Sequence, residues 1–247
     1  MYSTHSNDAP LFRVYGGVTL VLDENITLVG RSSNYGRGLV IVEGGYPTHG
    51  SFVMRKNAKI TGNTATDSHG VGGVFVNWGT FTMNDSASVS GNTFSSAYTS
   101  SSSDNPSYTY STSAGGVYVS SGSFTMNDNA SVTGNTASSK SASSSTSGGG
   151  VYVSSGAFIM NDSASVSNNT ATSYTSSGGG VYVSGGAFTM HGGTIYGSDG
   201  GANANILGWG GINGGASLYD SSGGAKYGNG SSIVPFGTYT DDTLTGH

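Results

Sequence analysis

One block returns along this chain with its apolar residues in a fixed order. It reads GGGVYVSSGAFIMNDSASVSNNTA at 148–171 and recurs as VGGVFVNWGTFTMNDSASVSGNTF at 71–94. It appears again as AGGVYVSSGSFTMNDNASVTGNTA at 114–137 and as GGGVYVSGGAFTMHGGTIYGSDGG at 178–201. A looser copy begins LVIVEGG at 39–45 and resumes as SFVMRKNAKITGNTA at 51–65, after the short insertion YPTHG. LVLDENITLVG at 20–30 aligns with FTMNDSASVSG and makes a further, degenerate copy. Self-similarity of this period is the signature of stacked-repeat architectures.

Leu20, Phe52, Phe81, Phe124, Phe158 and Phe188 mark one register, with spacings of 32, 29, 43, 34 and 30 residues. The spacing varies because a polar insertion after the Asn-Thr step varies. A constant core with variable polar inserts fits coils with loops on one corner. Within a coil the apolar residues alternate, as in a strand with one buried face. Val151 and Val153, Phe158 and Met160, and Ala164 and Val166 give three short strands per coil, separated by SSG and Asn-Asp turns. Gly and Asn-Asp pairs suit tight corners. The expected fold is all-β, a single parallel β-helix of six to seven coils. It is right-handed, because parallel crossovers almost always are.

No single coil can bury its few apolar residues, so coils must stack like over like. The expected columns are Phe52/81/124/158/188, then Met54/83/126/160/190, then Ile60, Val89, Val132, Val166 and Ile195. Asn63, Asn92, Asn135 and Asn169 share one register. They read as a ladder of amides bonded along the stack, or else as four separate turn asparagines. Open coil ends are sticky, so residues 1–19 are expected as an N-terminal cap. Residues 20–197 are expected as the repeats, and 198–247 as an eroded last coil and C-terminal cap. Leu218-Tyr219 would supply that last strand, with Pro235 and Asp241-Asp242 blunting its edge. A partial cap would let copies stack end to end.

Composition narrows the function classes. Gly is 43 of 247 residues, 34% are hydrophobic and only 9% charged. The formal net charge of −5 argues against nucleic acid as a partner. Residues 1–59 carry six bases (Arg13, Arg31, Arg37, Arg55, Lys56, Lys59) and four acids, a net of +2; the rest carries −7. The absence of Cys excludes disulfides and thiolate metal sites. No run approaches the 18 or so apolar residues of a membrane span. Residues 1–10 contain no apolar core of a signal peptide.

The paired motifs GGVYV and VSGNTA, repeated once per coil, resemble the repeats of polymorphic outer-membrane and autotransporter passenger adhesins. They are still more similar to bacterial surface proteins built of GGGVYV…FTM…GNTA repeats. The resemblance covers roughly residues 18–200 and implies an extracellular or cell-surface adhesin or structural element. It implies as partners the chain itself, in end-to-end or lateral assembly, and glycans or a host surface. No C-terminal barrel of alternating strands is legible, which is a departure from the family pattern.

Several constellations bear on chemistry. A polysaccharide-cleaving β-helix needs clustered carboxylates or a calcium site. The acids at matched register are Asp85, Asp128 and Asp162, a candidate Ca²⁺ site; the alternative is that each caps its own Asn-Asp turn. His5, His49, His69, His191 and His247 share no register and no metal-binding spacing. No catalytic residue and no cofactor are expected. The alternation points Phe75, Tyr118, Tyr152 and Tyr182 outward, as a sugar platform or as a structural stack. The inserts at 94–113, 138–147 and 172–177 leave one corner. The first carries Tyr98, Tyr108 and Tyr110 among Ser and Thr, which suits adaptable binding or a spacer.

Overall fold

The computed structural model describes residues 9–33, 38–66, 70–96, 113–139, 145–173, 175–208, 218–220, 226–227, 232–233, 238–240 and 242–246. Among them the chain is strand and turn, with a single 3-10 turn at Gly201–Asn203 and no α-helix. Like residues are consecutive parallel partners. Leu20, Phe52, Phe81, Phe124, Phe158 and Phe188 pair in that order. Ile60, Val89, Val132, Val166 and Ile195 do the same on another side. The fold is a parallel β-helix.

The five Phe and five Met of the columns are fully buried. Successive Phe rings lie 4.8–5.1 Å apart, tilted by 6–26°. That distance is close to the strand spacing of a sheet, so ring stacking and backbone pairing use one repeat. Each buried Phe or Met contributes about 1.5–3 kcal/mol of transfer free energy.

The sides of the coil differ from the expected plan in two ways. The SSG step does not separate two strands in every coil: Val74–Met83 and Val117–Met126 each run straight through it. Val119 and Phe124 are both fully buried, yet lie an odd number of residues apart. A regular strand would send them to opposite faces. A bulge at Ser121 and Gly122 absorbs the extra residue, and Gly122 takes φ +91° to make it. The second difference is a third side. The Asn-Thr step opens a strand, not a bare loop: Thr64–Ala65, Thr93–Ser96, Thr136–Ser139, Thr170–Thr172 and Ile206–Gly208 form one sheet. Two of the expected inserts also pair, Ser145–Thr146 with Thr175–Ser176.

The ends differ as well. Phe12–Val14 pairs in register with Val40–Gly45, so the stack begins before residue 20, inside the stretch expected as a cap. At the other end Leu218–Asp220 adds one more parallel strand on Val181–Val183. Thr238–Thr240 then pairs antiparallel with it, and Leu244–Thr245 antiparallel with Thr194–Ile195. Reversing strand direction ends the run of parallel pairing. Pro235 and Asp241 lie outside the described residues.

The asparagine ladder is present and fully buried. Three Nδ2 groups donate to the Oδ1 of the next coil: Asn92 to Asn135 at 3.1 Å, Asn135 to Asn169 at 3.0 Å, and Asn169 to Asn205 at 3.0 Å, while Asn63 Nδ2 donates to the Gly72 carbonyl. The backbone N–H of Asn63, Asn92, Asn135 and Asn169 donates to the Oδ1 of Asn92, Asn135, Asn169 and Asn205 in turn. The second Nδ2 hydrogen reaches back to the Ile60, Val89 or Val132 carbonyl. Beside the ladder the Gly pairs bring backbones together. A Cβ on Gly115 would sit 2.3 Å from the Gly149 oxygen, so no other residue fits.

Asn135→Ala removes the acceptor of two Asn92 donors and the donor to Val89. Leaving a buried polar group unsatisfied costs about 1–3 kcal/mol. The variant should lose at least about 3 kcal/mol in denaturant unfolding, whereas Ala at exposed Asn129 should stay within about 0.5 kcal/mol of the parent.

Candidate binding surfaces: an aromatic ladder and a corner cleft

The four aromatic residues expected on the outer face do form a ladder. Ring centroids are 5.1 Å apart for Phe75–Tyr118, 4.8 Å for Tyr118–Tyr152 and 5.1 Å for Tyr152–Tyr182. The face is not open, however. Phe75 and Tyr152 retain 7% and 3% exposure, and Tyr118 and Tyr182 are half-buried. Ile41, Val71 and Ala114 pack with them into a second apolar cluster. Val71 and Ala114 end the preceding inserts and bridge to each other. These residues close much of the face that alternation alone exposes. What remains at Tyr152 is a polar edge, its hydroxyl 3.0 Å from Ser184 Oγ. Tyr98, Tyr108 and Tyr110 lie outside the described residues.

Asp85, Asp128 and Asp162 share a corner, each in the left-handed region at φ +54 to +56°. Their carboxylates face along the stack. Asp85 accepts from the Lys56 N–H at 2.8 Å, Asp128 from the Asp85 N–H at 2.9 Å, and Asp162 from the Asp128 N–H at 3.0 Å. Beside them Asn161 donates to Asn127, and Asn127 to Asn84, both at 2.8 Å. This corrects the calcium candidate: the carboxylate rank serves backbone amides. Among the described residues no group of three His, Cys, Asp or Glu is placed to hold a metal ion.

The same corner changes chemistry toward the N-terminus. Arg55 and Lys56 stand in register with Asp23 and Glu24 of the first coil. Arg55 bonds Asp23 at 2.6 Å, and Lys56 pairs with Glu24 and reaches Asp23 at 3.3 Å. The Arg55 guanidinium holds the Asp23 carboxyl down to about 2, from an ordinary 3.8. The Glu24 N–H and the Lys56 ammonium act in the same direction, against partial desolvation.

A second surface lies one step along the coil. The YPTHG insertion is the tip of a hairpin in which Gly44 and Gly45 pair antiparallel with His49 and Thr48. With Tyr15 and Gly16 of the first coil it walls a cleft of about 290 Å³, lined by Tyr15, Gly16, Glu43, Gly44, Gly45, Tyr46 and Thr48. Arg13 bonds the Glu43 carboxylate. Trp78, from the next coil, abuts this wall: Glu43 pairs with Asn77 and Trp78 across the bulge. His49 Nδ1 lies 2.5 Å from the Trp78 carbonyl oxygen, which only accepts, so the proton sits on Nδ1. Trp78 holds φ +63°, a conformation that costs a bulky residue about 1–3 kcal/mol. Tyr46 is fully exposed, Tyr15 57% and Trp78 59%. The sequence carried the signal as two departures from the repeat, the insertion after Gly45 and Asn77-Trp78 in place of a Ser pair.

No protein-family model, curated protein or solved structure matches the chain at a significant level.

Asp128→Ala loses the acceptor for the Asp85 N–H and puts Ala at positive φ, so it should lower stability by about 1–3 kcal/mol. Asp128→Asn keeps an acceptor and tolerates that φ; its melting temperature should stay near the parent's and be indifferent to added calcium. For Asp23 the folded pKa lies below the unfolded one. Its contribution is therefore complete above about pH 4 and lost as the pH falls toward about 2. Thermal unfolding of Asp23→Asn should show a weaker acid dependence across that window than the parent.

Proposed function

We propose that this chain is a non-enzymatic extracellular β-solenoid, a rigid surface element that acts as an adhesin or structural spacer. The observation that supports this most is how the repeated polar residues are used. Each recurring rank bonds along the stack: Asn92, Asn135 and Asn169 through their amides, Asp85, Asp128 and Asp162 through backbone N–H groups. Glycan-cleaving chemistry needs carboxylates that face a substrate from two sides; the recurring acids of this chain stand in one exposed rank on a single corner, each with one oxygen bonded to a backbone N–H of the adjacent coil. The repeat motifs and the Ser-, Thr- and Gly-rich exterior suit a cell-surface location.

Contact between copies is expected at the N-terminal end. Phe12, Val18, Val21, Ile26 and Val29 of the first coil are exposed, while the last coil carries antiparallel strands. A second reading, glycan recognition, is favoured by the exposed aromatic residues of the corner cleft.

Electron micrographs of purified protein should show short rods, single or joined by one end. Incubation with a polysaccharide panel should release no reducing or unsaturated sugar ends. Release that disappears in Asp128→Asn would replace this reading with an enzymatic one.

A further inference from the structure

The stack is broken at one corner in two successive coils, and both breaks put aromatic rings into solvent. Other coils make this corner with Ser154-Ser155 or Ser184-Gly185; here the corner carries Asn77-Trp78. The coil before it carries the YPTHG hairpin. The two meet in space. A Cβ on Gly44 would lie 1.9 Å from the Trp78 oxygen, and His49 bonds that same oxygen. Insertions in repeat proteins commonly build the binding face.

Nothing in the stack requires these rings. Ser and Gly make the same turn elsewhere, without a left-handed Trp. Tyr46 is fully exposed and contributes no core packing. Strain and exposed aromatic surface held together on a cleft point outward, to a ligand.

The chemistry of the lining selects the ligand. Tyr15 and Tyr46 offer flat apolar faces with polar edges, and Trp78 stands exposed in the coil beyond the Gly44 wall. Glu43 offers its Oε2, with Oε1 bonded by Arg13, and Thr48 offers a hydroxyl that both donates and accepts. A pyranose ring matches this set, with its C–H face for the aromatic rings and its hydroxyls for the carboxylate. The Arg13 salt bridge balances the charge of Glu43, which favours an uncharged sugar over a charged one. The volume of about 290 Å³ sits at the small end of ligand pockets, the size for one or two rings at the end of a chain or branch. We propose that the cleft of Tyr15, Glu43, Tyr46 and Thr48, extended by Trp78, binds the terminal rings of a neutral oligosaccharide. This rests on the reading of the chain as a display scaffold.

The test is an array of neutral and acidic oligosaccharides two to six rings long, followed by calorimetry with the strongest neutral binder. The full chain is compared with Tyr46→Ala, Trp78→Gly and their combination. Each single change should weaken binding about tenfold or more. Melting should be unchanged in Tyr46→Ala and unchanged or higher in Trp78→Gly, since Gly accepts φ +63° without strain. Equal binding by the double variant would place the glycan elsewhere and overturn the proposal. So would a preference for acidic glycans, or binding of proline-rich peptides with no neutral glycan bound. Micrographs of the parent separate the two readings: intact rods that bind no glycan on the array refute the cleft and leave the scaffold standing, whereas intact rods of the double variant that have lost binding support the cleft.

Discussion

Successive coils exchange backbone hydrogen bonds, and the strand spacing decides which side chains become neighbours. Phe52, Phe81, Phe124, Phe158 and Phe188 stack because their backbones pair, at ring distances of 4.8–5.1 Å. The same spacing suits an amide bonded to an amide, which allows Asn92, Asn135 and Asn169 to sit dry in the interior. It also suits a carboxylate bonded to the N–H of the adjacent coil, as at Asp85 and Asp128. Apolar and polar ranks therefore coexist in one coil, each satisfied by its own kind above and below.

This constraint explains what could be read from residues alone. The Phe, Met and Val columns and the Asn rank were legible because every coil carries the same chemistry at the same place. Asn205 extends that rank but was not legible, since ANANILG shares little with the repeat around it. The third side was missed because Thr, Ala and Ser give no apolar alternation; the burial of Ala137 and Ala171 comes from close backbone approach. The bulge at Ser121 was hidden because period two says nothing of a parity change. The covering of Phe75 and Tyr152 involves Val71 and Ala114, which precede the alternating strand and carry no alternation signal of their own.

Where the repeat changes, the balance of forces changes with it. At the first two coils Asp23 and Glu24 meet Arg55 and Lys56, so ion pairs stand at the register of the Asn-Asp rungs, beside an amide bond from Asn57 to Asn25. Exposed ion pairs are weak individually, which leaves this end held less firmly than the buried ladder. The corner cleft belongs to the same stretch. Tyr15, Tyr46 and Trp78 are found where the repeat itself departs from its pattern.

The varying distance between register marks, from 29 to 43 residues, has a consequence for how such a molecule grows. Strand pairing stays in register across a short repeat and a long one, so the rise per coil is the same for both. Slippage that duplicates a whole block lengthens the molecule by one fixed increment. Slippage inside a Ser-Thr tract thickens its girth and leaves its reach untouched. Height and breadth are thus inherited separately, one counted in whole blocks and the other free to drift residue by residue.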